Sequence, residues 1–288
     1  MNIRIDAHQH YWKPDRGDYG WLTPEQGHLY ADFLPSHLKS HLQKHGIERT
    51  IVVQAAPTLE ETAFMLSLYE QEESIVGVVG WLELDSDEFP LHYSNFRRHK
   101  GFVGFRPMLQ DLPNGWILRP RVMDNLRLIA KDEFPIDLQL RPRHLTDMRK
   151  VLREIPSLRA VIDHAAKPFI ADKIIEPWKE QIAELARYPG VMCKLSGLVT
   201  EADQQNWSWM DLVPYVHHVV ETFGPGRIMF GSDWPVCLLT CDYDTVVVAL
   251  QRSLPSHLRE TDYDAIFGGN ALRFYKIEAA TPPDFLNR

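Results

Sequence analysis

Ile3-Arg4-Ile5-Asp6-Ala7-His8-Gln9-His10 is the stretch on which the reading of this chain turns. It is a short apolar run that ends in two imidazoles. On a strand, side chains two residues apart share a face, so His8 and His10 point the same way. Two imidazoles delivered to one spot suit metal binding or acid–base chemistry. Partners for the pair have to come from the rest of the chain.

Outward from this stretch the same pattern recurs. Apolar β-like runs fall at Ile3–Asp6, Thr50–Gln54, Ile75–Trp81, Phe102–Arg106, Ile136–Leu140, Ala160–Asp163, Val191–Lys194 and Ile228–Gly231. Most are nearly continuous in apolar character, as parallel strands buried on both faces must be. Amphipathic stretches follow them: Pro35–His45, Thr58–Glu70, Pro90–His99, Arg121–Lys131, Arg143–Arg153, Glu176–Tyr188, Leu212–Phe223 and Tyr243–Leu254, with a last helix over Asp264–Tyr275. Thr58-Leu59-Glu60-Glu61 reads as a capping box. Gly46, Gly190, Gly224 and Gly226 stand just past helix ends, where a left-handed cap is expected. Eight strand–helix units in about 270 residues predict an α/β fold, a (β/α)8 TIM barrel, over one domain spanning 1–288. An open doubly wound sheet is the alternative. No GxGxxG or GxxxxGK[ST] loop follows any strand, which removes the usual nucleotide-binding reason for it.

Composition narrows the function classes. A net charge of −8 over 288 residues argues against nucleic acid or an anionic membrane as partner. No apolar run approaches the roughly 18 residues of a membrane span. Three cysteines (Cys193, Cys237, Cys241), without CxxC spacing, point to unbridged thiols in a reducing compartment, so a cytoplasmic location is expected. No motif specifies an oligomeric state.

In a barrel the chemistry belongs at the C-terminal ends of the strands. Those ends carry His8 and His10, Gln54, Trp81, Arg106, Gln139 and Arg141, His164, Lys194 and Ser196, and Ser232 and Asp233. Closing the barrel sets the last strand beside the first, so Asp233 would face His8 and His10. His164 joins them from the sixth strand. Three imidazoles and a carboxylate suit a metal, proton transfer, or both.

These residues carry a resemblance. His8-Gln9-His10, His164 and Gly231-Ser232-Asp233-Trp234-Pro235 resemble the amidohydrolase superfamily. The text IDAHQHYW (5–12), VIDHAAKP (161–168), CKLSGLVTEA (193–202) and MFGSDWPV (229–236) is similar to its sugar-lactonase branch, and pyrone-dicarboxylate lactonases share the outline. The resemblance implies a distorted (β/α)8 barrel and hydrolysis at a carbonyl carbon: opening of an aldonolactone, of the fucono-, rhamnono- or galactonolactone kind, to the free acid. Two-metal members of the superfamily carry a bridging lysine or glutamate from the fourth strand and a histidine from the fifth. Here those places hold Arg106 and Gln139 or Arg141, and an arginine cannot ligate a cation. At most one ion, a Zn²⁺ on His8, His10 and Asp233, is therefore expected; a metal-independent site is the other option.

For lactone hydrolysis Asp233 is the expected base, with His164, His10 and His8 polarising the carbonyl. Gln54, Arg106, Gln139 and Lys167 could bond sugar hydroxyls. Trp12, Trp21, Trp81 or Trp234 could lie against the ring, Trp12 and Trp21 being favoured by their place in the long first loop. Arg106, Arg141, Arg143 and Lys167 would instead suit a dicarboxylate lactone. A metal-dependent decarboxylase and a non-catalytic binding protein are the remaining alternatives.

Overall fold

In the computed structural model, which describes residues 3–278, eight parallel strands run in the order of the sequence, each hydrogen-bonded to the next. They are β1 (Ile5–Gln9), β2 (Arg49–Val53), β3 (Ile75–Gly80), β4 (Phe102–Phe105), β5 (Ile136–Leu138), β6 (Ala160–Ile162), β7 (Val191–Leu195) and β8 (Ile228–Phe230). The ring closes between the loop after β8 and β1. Gln9 and Trp234 form a parallel bridge, His10 N donates to Trp234 O at 2.7 Å, and Asp233 N donates to His8 O at 2.8 Å. The expected barrel is present.

The helices α1 (Pro35–Lys44), α2 (Leu59–Gln71), α3 (Phe89–Phe96), α4 (Pro120–Lys131), α5 (Leu145–Glu154), α6 (Trp178–Ala186), α7 (Trp209–Phe223) and α8 (Tyr243–Ser253) surround the strands. The single last helix expected over Asp264–Tyr275 is instead α9 (Glu260–Asp264), a π-helical segment Ala265–Gly269, and α10 (Asn270–Phe274). The adjacent glycines Gly268 and Gly269 permit the break, and a Cβ on Gly268 would collide with the Ile3 carbonyl. Among the four glycines expected as caps, Gly46 and Gly224 have positive φ (61° and 72°), whereas Gly190 and Gly226 do not. No helix among the described residues is long and apolar enough to cross a membrane.

Side chains alternate on the strands, so one set packs outward against the helices and the other fills the barrel. The inner apolar layer includes Ile5, Ala7, Ile51, Val53, Val79, Val161 and Met229. Ala271, Phe274 and Tyr275 belong to the same cluster and plug the N-terminal end. Strict alternation fails at the end of β1, where the pairing register with β2 shifts between Asp6 and Gln9. Ala7 packs in the inner layer, yet His8 also turns to the interior. Asp6 faces outward, where its buried carboxylate accepts from Ser232 N (2.9 Å), His8 N (3.1 Å) and the Tyr243 hydroxyl (3.2 Å).

The long loop after β1 is folded back on itself by paired backbone bonds between Trp12 and Phe33 (2.9 and 3.0 Å). Its outer part is anchored on Glu61, which is fully buried. Glu61 does not complete the expected capping box. Thr58 Oγ1 accepts from Glu61 N at 3.0 Å, but the Glu61 carboxylate accepts from Ala55 N (3.0 Å) and the Tyr19 hydroxyl (2.8 Å), with Arg16 at 3.5 Å. Burial raises the Glu61 carboxyl to about 7, the Ala55 and Tyr19 bonds opposing the shift. A folded-state value above the unfolded one means stability present at low pH and lost as pH rises from about 4.5 to about 7. Glu61→Gln removes that titration, so wild-type stability relative to the variant should fall between pH 5 and pH 8. Thermal melts of both proteins across that range test this, and parallel curves would contradict it.

Candidate active site

Three strands bring their ends together at the C-terminal mouth. His8 lies inside β1, and His10 follows it directly. His164 follows β6 and Asp233 follows β8. The backbone is forced at both of the last two. His164, Ala165, Ala166 and Lys167 all have positive φ, between 49° and 60°, and Asp233 has φ 58°. Each such residue costs roughly 1–2 kcal/mol, a cost the surrounding structure must hold in place. The turn lets Asp163 and His164, adjacent in sequence, both face the interior.

The Nε2 atoms of three imidazoles converge on one carboxylate oxygen. Asp233 Oδ1 lies 3.2 Å from His10, 3.7 Å from His8 and 4.0 Å from His164. All four side chains are nearly inaccessible. His10 Nδ1 is 2.7 Å from the Val53 carbonyl, which can only accept, so that nitrogen carries the proton. The other nitrogen then faces a carboxylate oxygen, and two lone pairs oppose each other unless a proton or a cation lies between. His164 Nδ1 is held by the Ser196 hydroxyl at 2.9 Å. His8 is flanked on both sides: Asp163 Oδ1 (3.3 Å) and Lys194 Nζ (3.2 Å) at Nδ1, and Arg106 Nη1 (3.3 Å) at Nε2.

Burial pushes the His8 imidazole well below its ordinary range, Asp163 opposing and Lys194 and His164 adding to the shift. Burial lowers His164 to about 4, against the attraction of Asp233. For Asp233 burial acts upward, but His164, His10 and His8 outweigh it and hold the carboxyl below its ordinary range. At neutral pH the centre thus holds an ionised carboxylate beside neutral His8 and His164. The donor set His8, His10 and Asp233 has its ligand atoms within 4.8 Å of one another, and so does His8, Asp163 and His164. These groups can hold one divalent metal. Beside them stand two buried cations, Arg106 and Lys194, where a second ion would be repelled.

The other expected residues divide. Arg106 is buried at the centre, 3.6 Å from Asp163, with its Nε unpartnered. Gln54 is buried too, but its amide is spent: Nε2 donates to Arg106 O at 2.9 Å while Arg106 Nη2 donates to Gln54 O at 2.5 Å. It holds Arg106 rather than a ligand. Gln139 is buried with its amide oxygen unpartnered. Lys167 pairs with Glu201 at 3.0 Å. Arg141 turns outward, its side chain 42% exposed and 3.9 Å from Asp111, because β5 has already ended at Leu138 and a short helical turn over Pro142–His144 carries it out. Arg143 donates to the carbonyls of Gln110 and Leu112. Trp12 is wholly buried, donates to the carbonyls of Leu29 and Ala31, and stacks at 6.4 Å on His10, so it backs an imidazole and offers no open face. Trp234 is likewise buried, edge-on to Phe33. Trp21 and Trp81 are half-buried, Trp21 donating to Ala55 O.

The carboxylates Asp6, Asp137 and Asp163 are absent from the sequence expectation. Asp137, within the apolar run Ile136-Asp137-Leu138, offered the clearest signal: a charge on a buried strand needs a partner.

The chain matches the amidohydrolase family model over residues 5–277. It is 38% identical over 282 residues to an L-fucono-1,5-lactonase of Burkholderia ambifaria, covering 96% of this chain and 97% of that one. The chain belongs to the amidohydrolase family. A second L-fucono-1,5-lactonase, from Burkholderia multivorans, is 35% identical, with 96% of each chain covered. A crystal structure of a Burkholderia multivorans amidohydrolase with bound zinc superposes at a TM-score of 0.90, with 34% identity over 96% of this chain and all of that one.

In this amidohydrolase, Gly197 sets how closely the loop after β7 approaches the site. Its φ is 59°, and a Cβ would stand 2.5 Å from His164 Nδ1 and 2.8 Å from Asp233 Oδ2. Gly197→Ala should displace both groups and lower kcat about 100-fold, the scale of a 1 Å misplacement. Steady-state kinetics on folded variant check this; unchanged kcat would show that the contact is slack.

Proposed function

We propose that this protein is a lactonase that opens a sugar-acid lactone, of the L-fucono-1,5-lactone class, to the free acid. The convergence of three imidazole Nε2 atoms on Asp233 Oδ1 at the barrel mouth carries the chemistry. Full-length likeness to two L-fucono-1,5-lactonases supports the substrate class. The fate of the cations favours a neutral sugar over a dicarboxylate. Lys167 is spent on Glu201, Arg143 on backbone carbonyls, and Arg106 on Gln54 and Asp163, while Arg141 points to Asp111. No pair of guanidinium groups is left to grip two carboxylates. Gln139, with its buried amide oxygen unpartnered, suits a sugar hydroxyl, and Trp21 and Trp81 suit the ring face.

In the proposed reaction, water adds to the lactone carbonyl and Asp233 takes its proton as the bond forms. The tetrahedral intermediate collapses with cleavage of the acyl–oxygen bond, and Asp233 returns the proton to the departing ring oxygen. His164 bears on the developing oxyanion, and one such donor contributes a factor of about 100–1,000, whereas His10, with its proton on Nδ1, presents a lone pair at Nε2 that suits a cation. Asp233 remains ionised across the physiological range, so it is always ready as base, although a weak one. His8, His10 and Asp233 would hold one zinc ion, whose chemistry when bound is to acidify water and polarise the carbonyl. The three cysteines are free, which supports a reducing, cytoplasmic setting.

A pH-indicator assay on a panel of aldonolactones and pyrone dicarboxylates tests the reading. Turnover is expected on aldonolactones, and activity confined to dicarboxylates would refute it. Asp233→Asn should lower kcat by at least about 100-fold with an unchanged circular dichroism spectrum, the scale of general-base loss. Metal analysis should find a single zinc equivalent per chain, lost in His10→Gln; zinc retained in that variant would remove His10 from the ligand set.

A further inference from the structure

The barrel axis beneath the reaction centre holds charged side chains that the proposed chemistry does not use. Lys194 on β7 is fully buried. Its Nζ lies 2.5 Å from Asp137 Oδ2, 3.2 Å from His8 Nδ1 and 3.4 Å from Asp163 Oδ1. An ammonium has three protons, and three polar groups surround this one. Asp137 in turn accepts the Tyr275 hydroxyl, which lies 2.8 and 2.9 Å from its two oxygens. The Tyr275 ring is also 5.5 Å from Lys194 Nζ, within cation–π range. Tyr275 follows α10 in the segment that plugs the opposite end of the barrel. A continuous ladder therefore runs Tyr275–Asp137–Lys194–His8.

Stability alone is a weak reason for it. A buried ion pair contributes little beyond what apolar side chains of the same volume would, and the layer around this one is already aliphatic. What the ladder adds is a second hold, beside Asp163, on one edge of His8. That ring is clasped at Nδ1 by Lys194 and Asp163, and its Nε2 faces Asp233. If Lys194 shifted, Nδ1 would keep Asp163 alone and the ring would be held less firmly about its side-chain torsions. We propose that Tyr275 and Asp137 are positioning residues, which hold Lys194 against His8 and so set the direction of its Nε2 toward Asp233. The inference rests on the reading of His8 as part of the reaction centre.

Tyr275→Phe in the full chain deletes one hydroxyl and keeps the ring, its packing and its contact with Lys194. The expected result is a fall in kcat of about 10-fold with KM nearly unchanged, the scale seen when the outer partner of a site residue is removed. The ¹⁵N resonances of the His8 imidazole, assigned by their loss in His8→Gln, should shift in the same variant without substrate. A mere plug would lower the melting temperature while leaving kcat and these resonances as in wild type, and that outcome overturns the proposal. A double-mutant cycle adds the route. Asp137→Asn combined with Lys194→Met removes an anion and a cation together, so no new buried charge is stranded. In that background Tyr275→Phe should cost nothing further, and an undiminished effect would show that the ladder does not run through Lys194. If wild type opens no lactone, the functional reading fails, yet the His8 resonances still decide the positioning role.

Discussion

The structure depends on how its first and last strands are joined. β1 and β8 are not paired along their length. A fully buried carboxylate, Asp6, gathers the amides of His8 and Ser232 and the hydroxyl of Tyr243 from α8. Burial raises its carboxyl to about 6, against the bonds from Ser232, His8 and Tyr243. Two further backbone bonds, Asp233 to His8 and His10 to Trp234, complete the seam. The contacts that close the barrel are therefore the contacts that assemble the site. Residues separated by more than two hundred positions become neighbours because the seam leaves them no other place.

That economy explains the electrostatic character of the centre. A carboxylate out of water costs several kcal/mol unless charges or hydrogen bonds compensate it. Asp233 is compensated by imidazoles, Asp163 by Lys194 and Arg106, and Asp137 by Lys194 and Tyr275. For Asp163, burial acts upward, but Lys194, His8 and Arg106 hold it well below its ordinary range. For Asp137 burial wins, and the group rises to about 6 despite Lys194. Two carboxylates sharing one lysine thus end with opposite shifts, and the difference follows from which of them the other cations reach.

The architecture was legible because buried parallel strands write themselves as apolar runs. Ile51-Val52-Val53 and Val78-Val79 are recognisable without any partner. The boundaries read less well where function intrudes. β1 continues through His8 to Gln9, past the expected end at Asp6, since its last residues face a polar interior instead of an oily one. The four central groups, His8, His10, His164 and Asp233, could be named because each lies at the end of a strand or within three residues of it. Arg141 and Trp12 lie away from the open mouth for a common reason: strand-end position says where the backbone is, while the course of the following loop decides where the side chain goes. Asp6, Asp163 and Tyr275 were missed because their meaning lies wholly in partners, Ser232, Lys194 and Asp137, that local pattern cannot supply.

The left-handed turn His164–Lys167 has a consequence for how this fold tolerates change. Four consecutive residues with side chains occupy a conformation natural to glycine, and together they withhold several kcal/mol from a domain whose net stability is of the order of 5–15 kcal/mol. A selection for heat resistance alone would find its easiest gains here, by letting the turn relax. It would then carry His164 away from Asp233. Robustness and reactivity draw on one short segment, and neither can be improved there without loss of the other.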